Sequence, residues 1–387
     1  AAAPGPDPNS RDPDRRLKVG YVSGDFREHS CAYFIEPVLA HHDGRDFEVF
    51  AYAHVPVPDA TTARLKSLAA HWRDTDGLDD AALGQLIAAD GIDILVDLAG
   101  ATAGNRIEVF ARAPAPVALS WLGFPATLGL PAIGWRITDA TADPPGDSER
   151  HWNERLVRLE RGFLCYRPPA DAPDVSPPPA SASGHVTFAS FNHAAKIRDA
   201  TLALWAEILG AVPGSRLVLK GEGFADPFVR QDMRRRLGAR GIAPERIEFL
   251  PWSATRAEHL GAYARVDVAL DTFPYNGTTT TCEALWMGVP VVSLAGGWHA
   301  ARVGASILAH AGLGELVAEN PPEYVAIALA LARDPARLAH MRAGLRATLG
   351  ASALLDARGF TGALEGAYRA IWREWCASSE KGTLPFI

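Results

Sequence analysis

Residues 266–297 read VDVALDTFPYNGTTTTCEALWMGVPVVSLAGG, and their pattern decides the fold. A short apolar run, VDVALDTF, leads into a polar turn, then into a stretch of helical character at 279–287, and then into a second apolar run, VPVVSLAGG. Parallel strands need a long crossover connection, which is usually a helix. Two neighbouring strands with a helix between them are therefore expected to run parallel. The stretch therefore predicts a parallel sheet with helices on its faces.

The same alternation extends in both directions along the chain. Apolar runs such as LKVGYVS at 17–23 and FEVFAYAH at 47–54 begin one series, and HVTFASFN at 185–192 begins a second. Between them, residues 166–184 are too rich in Pro, Ala and Ser to pack as a core. We predict a linker at 1–16, a first α/β lobe at 17–168, a Pro-rich linker at 169–184, a second lobe at 185–350, a C-terminal helix at 351–377 and a tail at 378–387.

Composition excludes several classes of protein. The net charge of the 387 residues is −7, so no basic field exists to hold nucleic acid. The four cysteines lack CxxC spacing, which predicts reduced thiols and no zinc or redox centre. No apolar run approaches the roughly 20 residues of a membrane span. We expect a soluble, cytoplasmic protein with no membrane or nucleic-acid partner.

The loop and helix start inside the opening stretch predict a phosphate site. A helix N-terminus offers unpaired N–H groups and a partial positive charge, and threonine hydroxyls add hydrogen-bond donors without bulk. Both features suit a diphosphate that follows the carboxyl end of a strand. The predicted diphosphate site comprises Asn276, Gly277, Thr278, Thr279 and Thr280.

Glu283 lies about one helical turn into the same helix, and its carboxylate is predicted to accept the hydroxyls of a ribose. The alternative is a capping box, in which a threonine at the helix start pairs with an acid three residues later. Taken alone, the pattern favours that alternative. Lys196 shifts the balance toward a nucleotide, because it follows the first strand of the second lobe and is able to neutralise a diphosphate there.

His29 follows the first strand of the N-terminal lobe, where an imidazole is able to orient or deprotonate a hydroxyl. Its spacing alone fits a capping or surface histidine better. No GxxxxGK[ST] segment is present, so a P-loop nucleoside triphosphatase is not supported. We assign no metal, because His259 and His299 lack metal-ligand spacing to another histidine, cysteine or carboxylate, and the DxD at 74–76 fits a solvated turn better than a metal–diphosphate site.

The chain resembles a known family over nearly all of residues 17–377: the catalytic region of protein O-GlcNAc transferases and of their SPINDLY-type relatives, the protein O-fucosyltransferases. The segments that carry the resemblance are VGYVSGDFREHSCAYFIEP, DILVDLAGATAGNR, APAPVALSWLGFPATLGLPAIGWRITDATADPP, GFLCYRPP, VTFASFNHAAKI and VALDTFPYNGTTTTCEALWMGVPVVSLAG. The resemblance implies a GT-B fold of two Rossmann-like lobes facing a cleft, and inversion at the anomeric carbon. It implies no metal and no cofactor beyond the donor, UDP-GlcNAc or GDP-fucose.

The resemblance also implies roles for individual residues. Lys196 matches the essential lysine that stabilises the departing diphosphate, and His29 matches a histidine close to donor and acceptor. The residues that match the remainder of the nucleotide site are Thr279 and Thr280 for the diphosphate, Glu283 for the ribose, Arg256 and His259 for the nucleoside pocket, and His193 for a neighbouring polar position.

Two positions depart from the family pattern. Ala101 stands where many relatives carry a histidine, so a nucleotide-sugar-binding homologue with reduced or lost transfer is an alternative to an active enzyme. Ala262 stands where animal O-GlcNAc transferases place an arginine, which brings the chain closer to the SPINDLY-type branch. A sugar-nucleotide epimerase or a small-molecule glycosyltransferase is a third reading, because fold does not fix function.

The expected partners are a nucleotide sugar and a protein with a serine or threonine in an extended segment. The family usually carries tetratricopeptide repeats before the catalytic region, and this sequence has none. Residues 1–16 fit a chain that starts where such repeats would end.

Overall fold

The computed structural model describes residues 9–378; residues 1–8 of the predicted linker and 379–387 of the predicted tail lie outside them. The strands are β1 Leu17–Ser23, β2 Phe47–Ala53, β3 His71–Asp74, β4 Ile94–Asp97, β5 Val117–Ser120, β6 Trp135–Thr138, β7 Arg155–Arg158, β8 Thr187–Ser190, β9 Arg216–Lys220, β10 Ile247–Leu250, β11 Val268–Leu270, β12 Val291–Leu294 and β13 Val317–Ala318. The α-helices are α1 Ala32–His41, α2 Ala60–Lys66, α3 Asp80–Asp90, α4 Ile107–Ala111, α5 Ala180–Ser183, α6 Asp199–Ala211, α7 Pro227–Gly238, α8 Arg256–Gly261, α9 Thr279–Trp286, α10 Val303–His310, α11 Pro321–Ala332, α12 Pro335–Gly350 and α13 Ala357–Ala377.

The first compact unit contains a seven-stranded sheet in the order β3-β2-β1-β4-β5-β6-β7. Every recorded pairing is parallel, and β1 pairs with β2 from Leu17↔Phe47 to Ser23↔Ala53. Central strands such as β4 are buried along their whole length, as expected for a sheet covered on both faces. The predicted parallel sheet is confirmed.

The C-terminal helix α13 belongs to this first unit. Its buried face, which includes Phe360, Leu364 and Trp372, joins the same apolar core as the residues of β1. A strong apolar stripe on a 21-residue helix needs such a surface to cover it. The sequence predicted a C-terminal helix from residue 351, whereas α13 begins at Ala357.

Residues 9–16, the described part of the predicted linker, are held against the first unit. Asn9 Nδ2 donates to Asp93 Oδ1 at 2.7 Å, and the guanidinium of Arg15 pairs with the same carboxylate. Trp372 Nε1 donates to the carbonyl of Asp12 at 3.0 Å. The side chain of Asp93 is fully buried, so these contacts fix the segment in place.

The second compact unit comprises residues 141–144 and 166–356. Its six-stranded sheet has the order β10-β9-β8-β11-β12-β13, again with parallel pairings. The Pro-rich segment 169–184 is part of this unit. Arg342 Nε donates to the carbonyl of Ser176 at 2.8 Å, and Arg346 donates to the carbonyl of Pro173 at 2.8 Å. The buried Arg342 and the partly buried Arg346 thus satisfy carbonyls of the Pro-rich segment and hold it against the second unit.

Two expectations from composition can be compared with the described residues. Within residues 9–378 no helix is both long enough and apolar enough to cross a bilayer. All four cysteines lie in this range, and Cys31, Cys282 and Cys376 are free thiols.

Candidate functional site

The strand order of each sheet reverses at one point, and predicted site residues occupy the loops there. The reversal falls between β1 and β4 in the first unit and between β8 and β11 in the second. Ligands of doubly wound sheets bind outside the carboxyl ends of the strands at such switch points. In the second unit, the loop at 191–198 carries Lys196, and the loop at 271–278 leads into α9. The predicted phosphate site therefore lies where this fold class places its ligands.

Asn276 holds the loop before α9 in shape. Its backbone N–H donates to Ala300 O at 2.9 Å, its Nδ2 donates to Thr272 O at 2.9 Å, and its Oδ1 accepts from Gly304 N at 3.2 Å. The side chain is fully buried. The side chain of Asn276 therefore holds the backbone of this loop in position.

Gly277 permits a close approach at the start of α9. A Cβ atom at this position would lie 2.7 Å from Thr280 Oγ1 and 2.9 Å from Asn192 Oδ1. The Gly277 N–H donates to Asp271 Oδ1 at 2.7 Å, which fixes the peptide in this crowded place. A larger residue would push the threonines away from the loop.

The helix α9 begins without a side-chain cap. Thr278, the N-cap residue, makes no side-chain hydrogen bond to the first turn. Thr280 Oγ1 donates to Asn192 Oδ1 at 2.9 Å, and the carboxylate of Glu283 turns to other partners. The capping-box alternative is therefore not formed. The first-turn N–H groups are those that a helix start offers to an anion.

Lys196 reaches the same loop from the short 3-10 helix Ala194–Lys196. Its Nζ donates to Asn276 O at 2.8 Å and lies 3.9 Å from the centre of the Tyr275 ring. Burial lowers the pKa of Lys196 to about 8, although the charge of Asp271 opposes this shift. At neutral pH the ammonium group keeps its charge, and it lies against the loop that leads into α9.

Glu283 is the centre of a charged cluster on α8, α9 and β9. Its Oε1 lies 2.7 Å from Arg256 Nη2, and its Oε2 lies 3.0 Å from His259 Nε2. The other ring nitrogen of His259 lies 2.8 Å from Lys220 Nζ. Because an ammonium group only donates, His259 accepts at Nδ1 and donates to Glu283 from Nε2. The structure thus brings together the three predicted nucleoside residues and adds Lys220, which the sequence analysis missed.

An exposed aromatic ring lies beside this cluster. Lys220 Nζ lies 5.4 Å from the centre of the Trp252 ring, and 64% of Trp252 is exposed. Burial lowers the pKa of Lys220, and the charge of Glu283 opposes that shift. Each oxygen of the Glu283 carboxylate retains a lone pair for a further hydrogen bond. The cluster therefore contains a buried carboxylate, with the Glu283 side chain only 3% exposed, and the flat surface of an exposed aromatic ring beside Lys220.

The carboxylate of Asp271 accepts hydrogen bonds that hold the loop at 271–278 in place. Its Oδ1 accepts from Gly277 N at 2.7 Å and Thr272 N at 2.8 Å, and its Oδ2 accepts from Ser293 Oγ at 2.7 Å. Burial raises the pKa of Asp271 to about 6, and these hydrogen bonds and the charge of Lys196 oppose the shift. At neutral pH the carboxylate is ionised and fixes the loop on which the phosphate site depends.

Replacing Asp271 with alanine is expected to lower the free energy of unfolding by at least about 3 kcal/mol. Four buried donors lose this acceptor, three of them from bonds of 2.7–2.8 Å, and each of these three losses costs about 1 kcal/mol or more. Urea-induced unfolding followed by tryptophan fluorescence measures the change. Asp232→Ala on α7, at a side chain that is 48% exposed, should change stability by less than about 1 kcal/mol. Equally small effects for both variants would contradict the role of Asp271.

His193 has a local role in the structure. Its side chain is exposed, and its Nδ1 accepts from Ala195 N at 3.1 Å, which caps the short 3-10 helix that carries Lys196. The predicted nucleotide contact of His193 therefore rests on the family resemblance alone.

His29 and Ala101 lie in loops at the switch point of the first unit. His29 follows β1, and its Nδ1 lies 3.4 Å from Asp25 Oδ2 and 3.3 Å from the Cys31 N–H. Burial lowers the pKa of His29, as does Arg27, while Asp25 opposes the shift. The ring is therefore neutral at pH 7. Ala101 follows β4 and is exposed.

Three residues that support the candidate site were missed by the sequence analysis, and they share one sequence pattern. Asn192, Lys220 and Asp271 each lie at or just beyond the carboxyl end of a strand in the second sheet. Polar residues that end consecutive apolar runs meet at one edge of a parallel sheet. The pattern was visible in FASFN, RLVLK and DVALD.

A family model described as "Glycosyl transferase family 41" matches residues 6–166 and 180–364. The chain belongs to glycosyltransferase family 41, and the resemblance inferred from its motifs is confirmed. A rice relative, "Probable UDP-N-acetylglucosamine--peptide N-acetylglucosaminyltransferase SPINDLY", is 46% identical over 372 residues, which are 95% of this chain and 40% of that protein. The SPINDLY relative of Arabidopsis thaliana is 44% identical over 383 residues, which are 98% of this chain and 41% of that protein.

A solved structure confirms the fold class. A mutant O-GlcNAc transferase of Thermobaculum terrenum has a TM-score of 0.90 and 45% identity, over 95% of this chain and 69% of that one. The predicted class, two Rossmann-like units of the GT-B type with a helical C-terminus, is thereby confirmed. This chain spans about 40% of the length of the curated relatives it matches.

Proposed function

We propose that this chain is the catalytic region of an inverting protein O-glycosyltransferase. It transfers a single sugar, GlcNAc from UDP-GlcNAc or fucose from GDP-fucose, to serine or threonine hydroxyls. One observation carries the proposal: the Lys196 ammonium group lies against the loop that leads into α9, at the switch point of the second sheet. The similarity to SPINDLY and O-GlcNAc transferases supports it.

The leaving group determines what these residues do. When the bond between the anomeric carbon and the diphosphate oxygen breaks, negative charge grows on that oxygen. Lys196 and the first-turn N–H groups of α9 supply positive charge and hydrogen bonds to the departing diphosphate. This arrangement is preorganised by Asp271 and Gly277, so little reorganisation is needed as the charge develops. The proposal needs no divalent cation.

The cluster around Glu283 is proposed to hold the nucleoside. Its carboxylate accepts hydrogen bonds from the ribose hydroxyls, while Arg256 and His259 keep it ionised and oriented. The exposed ring of Trp252 offers a stacking surface for the base. Stacking accepts any base, so this feature suits both UDP and GDP.

Transfer also requires that the acceptor hydroxyl lose a proton. The hydroxyl oxygen attacks the anomeric carbon from the side opposite the diphosphate, which inverts the configuration. His29 is a candidate base because its ring is neutral at pH 7. The donor phosphate and a chain of water molecules are the alternative acceptors of this proton.

A nucleotide-sugar-binding homologue without transfer is the second candidate function, and Ala101 is the observation that favours it. Transfer of radiolabelled sugar from UDP-GlcNAc and from GDP-fucose to a peptide library separates the two, with Ala101→His tested beside the unchanged chain. We expect incorporation from one donor by the unchanged chain. Nucleotide binding without incorporation by either version would support the binding homologue. Release of UDP or GDP without any protein acceptor would instead indicate a small-molecule transferase.

The fall in kcat/KM at alkaline pH is expected to follow the deprotonation of Lys196. Its charged form, which stabilises the diphosphate, is lost as the pH rises through the pKa of about 8. The value of kcat/KM for the donor should therefore fall above pH 8. In Lys196→Arg the guanidinium stays charged, so any remaining activity should keep its value up to about pH 10. An unchanged limb in that variant would assign the titration to another group.

A further inference from the structure

We propose that Asp25, His29 and Cys31 form a binding site for a transition-metal ion of the Zn²⁺ type. They lie in the loop between β1 and α1 of the first unit. One ligand atom from each of the three side chains lies within 4.8 Å of the other two. Among residues 9–378, no other group of three such side chains meets this condition.

The distances are close to those of a tetrahedral site. Zinc bonds of about 2.0–2.3 Å to oxygen, nitrogen and sulfur place neighbouring ligand atoms roughly 3.3–3.6 Å apart. The Asp25 Oδ2 to His29 Nδ1 distance is already 3.4 Å. Only the Cys31 sulfur has to approach, and rotation about one side-chain bond provides such a movement. The ion would take its fourth ligand from water.

The donor set suits Zn²⁺ in type and in charge. A carboxylate, an imidazole and a thiolate are the three ligand types that zinc prefers. Binding deprotonates the Cys31 thiol, and the proton passes to solvent. The ligands then carry two negative charges, which balance the two positive charges of the ion. This balance matters because Asp25 is only 7% exposed, and an uncompensated charge there is costly.

The surrounding backbone holds the ligands in place. Asp25 N donates to Ser23 Oγ at 2.9 Å, and Ala32 N donates to His29 O at 3.0 Å. Cys31 is the N-cap residue of α1, where the partial positive charge of the helix favours a thiolate. Burial and the charges of Asp25 and Asp97 raise the pKa of the Cys31 thiol, so it is the positive charge of the ion that has to stabilise the thiolate.

Arg27 is the competing cation at this site. Its Nη2 lies 3.7 Å from Asp25 Oδ1, and its side chain is 45% exposed. The guanidinium is therefore able to move into solvent when the ion binds. A variant without this side chain should bind the metal more tightly.

The expected consequence is inhibition of transfer, and this part rests on the proposed function. A neutral imidazole that binds metal through Nδ1 carries its proton on Nε2, so it accepts no further proton. Metal at this site would therefore block His29 as a base. The site is inhibitory and does not supply a cofactor.

Binding is tested on the full chain without any activity measurement. Zn²⁺ is titrated in competition with a chromophoric chelator, and Co²⁺ is added to record the absorption of a cobalt–thiolate bond. We expect one ion per chain and a thiolate band. Loss of a ligand in His29→Ala, Cys31→Ser or Asp25→Asn should weaken binding by at least about 100-fold, since even outer-shell changes cost 10- to 100-fold.

Two controls complete this test. Cys376→Ser removes a partly exposed thiol elsewhere in the same unit and should leave the titration unchanged. Arg27→Ala should strengthen binding severalfold. Circular dichroism establishes that each variant is folded. Binding that survives in folded His29→Ala and Cys31→Ser, or the absence of a thiolate band, would overturn the site.

Inhibition is then measured separately. Zn²⁺ should inhibit the unchanged chain, and EDTA should restore its activity, while Asp25→Asn should require at least about 100-fold more Zn²⁺ for the same fractional inhibition. Equal inhibition of both would overturn the regulatory role. Absence of transfer under all conditions would contradict the proposed function and leave the binding result standing.

Discussion

Lys196→Ala is expected to lower the rate of sugar transfer by roughly 10²- to 10³-fold, the usual cost of removing one group that stabilises transition-state charge. The Lys196 ammonium group lies against the loop that leads into α9, where it donates to Asn276 O at 2.8 Å. No other lysine is bonded to that loop among the hydrogen bonds of the described residues. In the proposed mechanism, Lys196→Ala therefore leaves the first-turn N–H groups of α9 as the groups that stabilise the departing diphosphate.

The measurement is single-turnover transfer at saturating donor, because this isolates the chemical step from product release. Lys66→Ala is the matched control: Lys66 belongs to the first unit, and its side chain is 54% exposed. It should retain full activity. Circular dichroism and the unfolding midpoint establish that Lys196→Ala is folded. A folded Lys196→Ala variant with more than about a tenth of the original rate would contradict the assigned role.

Glu283→Ala is expected to remove nucleotide binding and to destabilise the second unit. The substitution leaves Arg256 and His259 without their shared partner. Breaking a buried ion pair costs about 3–5 kcal/mol, and the lower end applies here because both partners remain about one-fifth exposed. Loss of two charge-assisted hydrogen bonds to a ribose, each worth about 1.5–3 kcal/mol, should raise the Kd by at least about 100-fold.

Isothermal titration with UDP and GDP measures the affinity, and urea unfolding measures the stability. Glu283→Gln keeps the size of the side chain and tests its charge; it should weaken nucleotide binding with a smaller loss of stability. Glu207→Ala, at an exposed position on α6, is the matched control and should alter neither quantity. Unchanged nucleotide affinity in a folded Glu283→Gln or Glu283→Ala variant would remove the ribose contact from the account.

Much of the fold is predictable because the central strands are apolar and end in turns. The runs that form β1, β2 and β8, and the helical stretch that forms α9, appear within a residue or two of their predicted positions. The sequence analysis did not predict β3, β6, β7 and β13. Of these, β3 and β7 are edge strands of the first sheet, and their sequences HWRD and RLVR carry charged residues that face solvent. Edge strands lack the apolar pattern that marks buried ones.

The position of the candidate site in the fold was predictable from the sequence, but most of the contacts between its side chains were not. The switch-point rule places Lys196 and the threonine loop at one sheet edge, and the structure has them there. Sequence spacing does not reveal that Glu283 pairs with Arg256 and His259 and forms no capping box, because those two residues lie more than 20 positions away. The supporting carboxylate of Asp271 was missed for a similar reason, since it bonds not only to its own loop but also to Ser293 on β12 and to Asn192 after β8.

The packing of the segments outside the two sheets was also beyond the sequence analysis. Residues 169–184 look like a linker by composition, yet Arg342 and Arg346 anchor them to the second unit. Whether a polar segment is held depends on a partner far along the chain, and here that partner is more than 150 residues away.

The central claim is that a nucleoside diphosphate binds on the start of α9 beside Lys196. A crystal structure of this chain with UDP, and one with GDP, tests it most directly. The account predicts phosphate oxygens within hydrogen-bond distance of the backbone N–H groups of Thr279 and Thr280 and of Lys196 Nζ. It also predicts ribose hydroxyls on the Glu283 carboxylate. A diphosphate bound away from the start of α9, or one that Lys196 does not touch, would contradict the account.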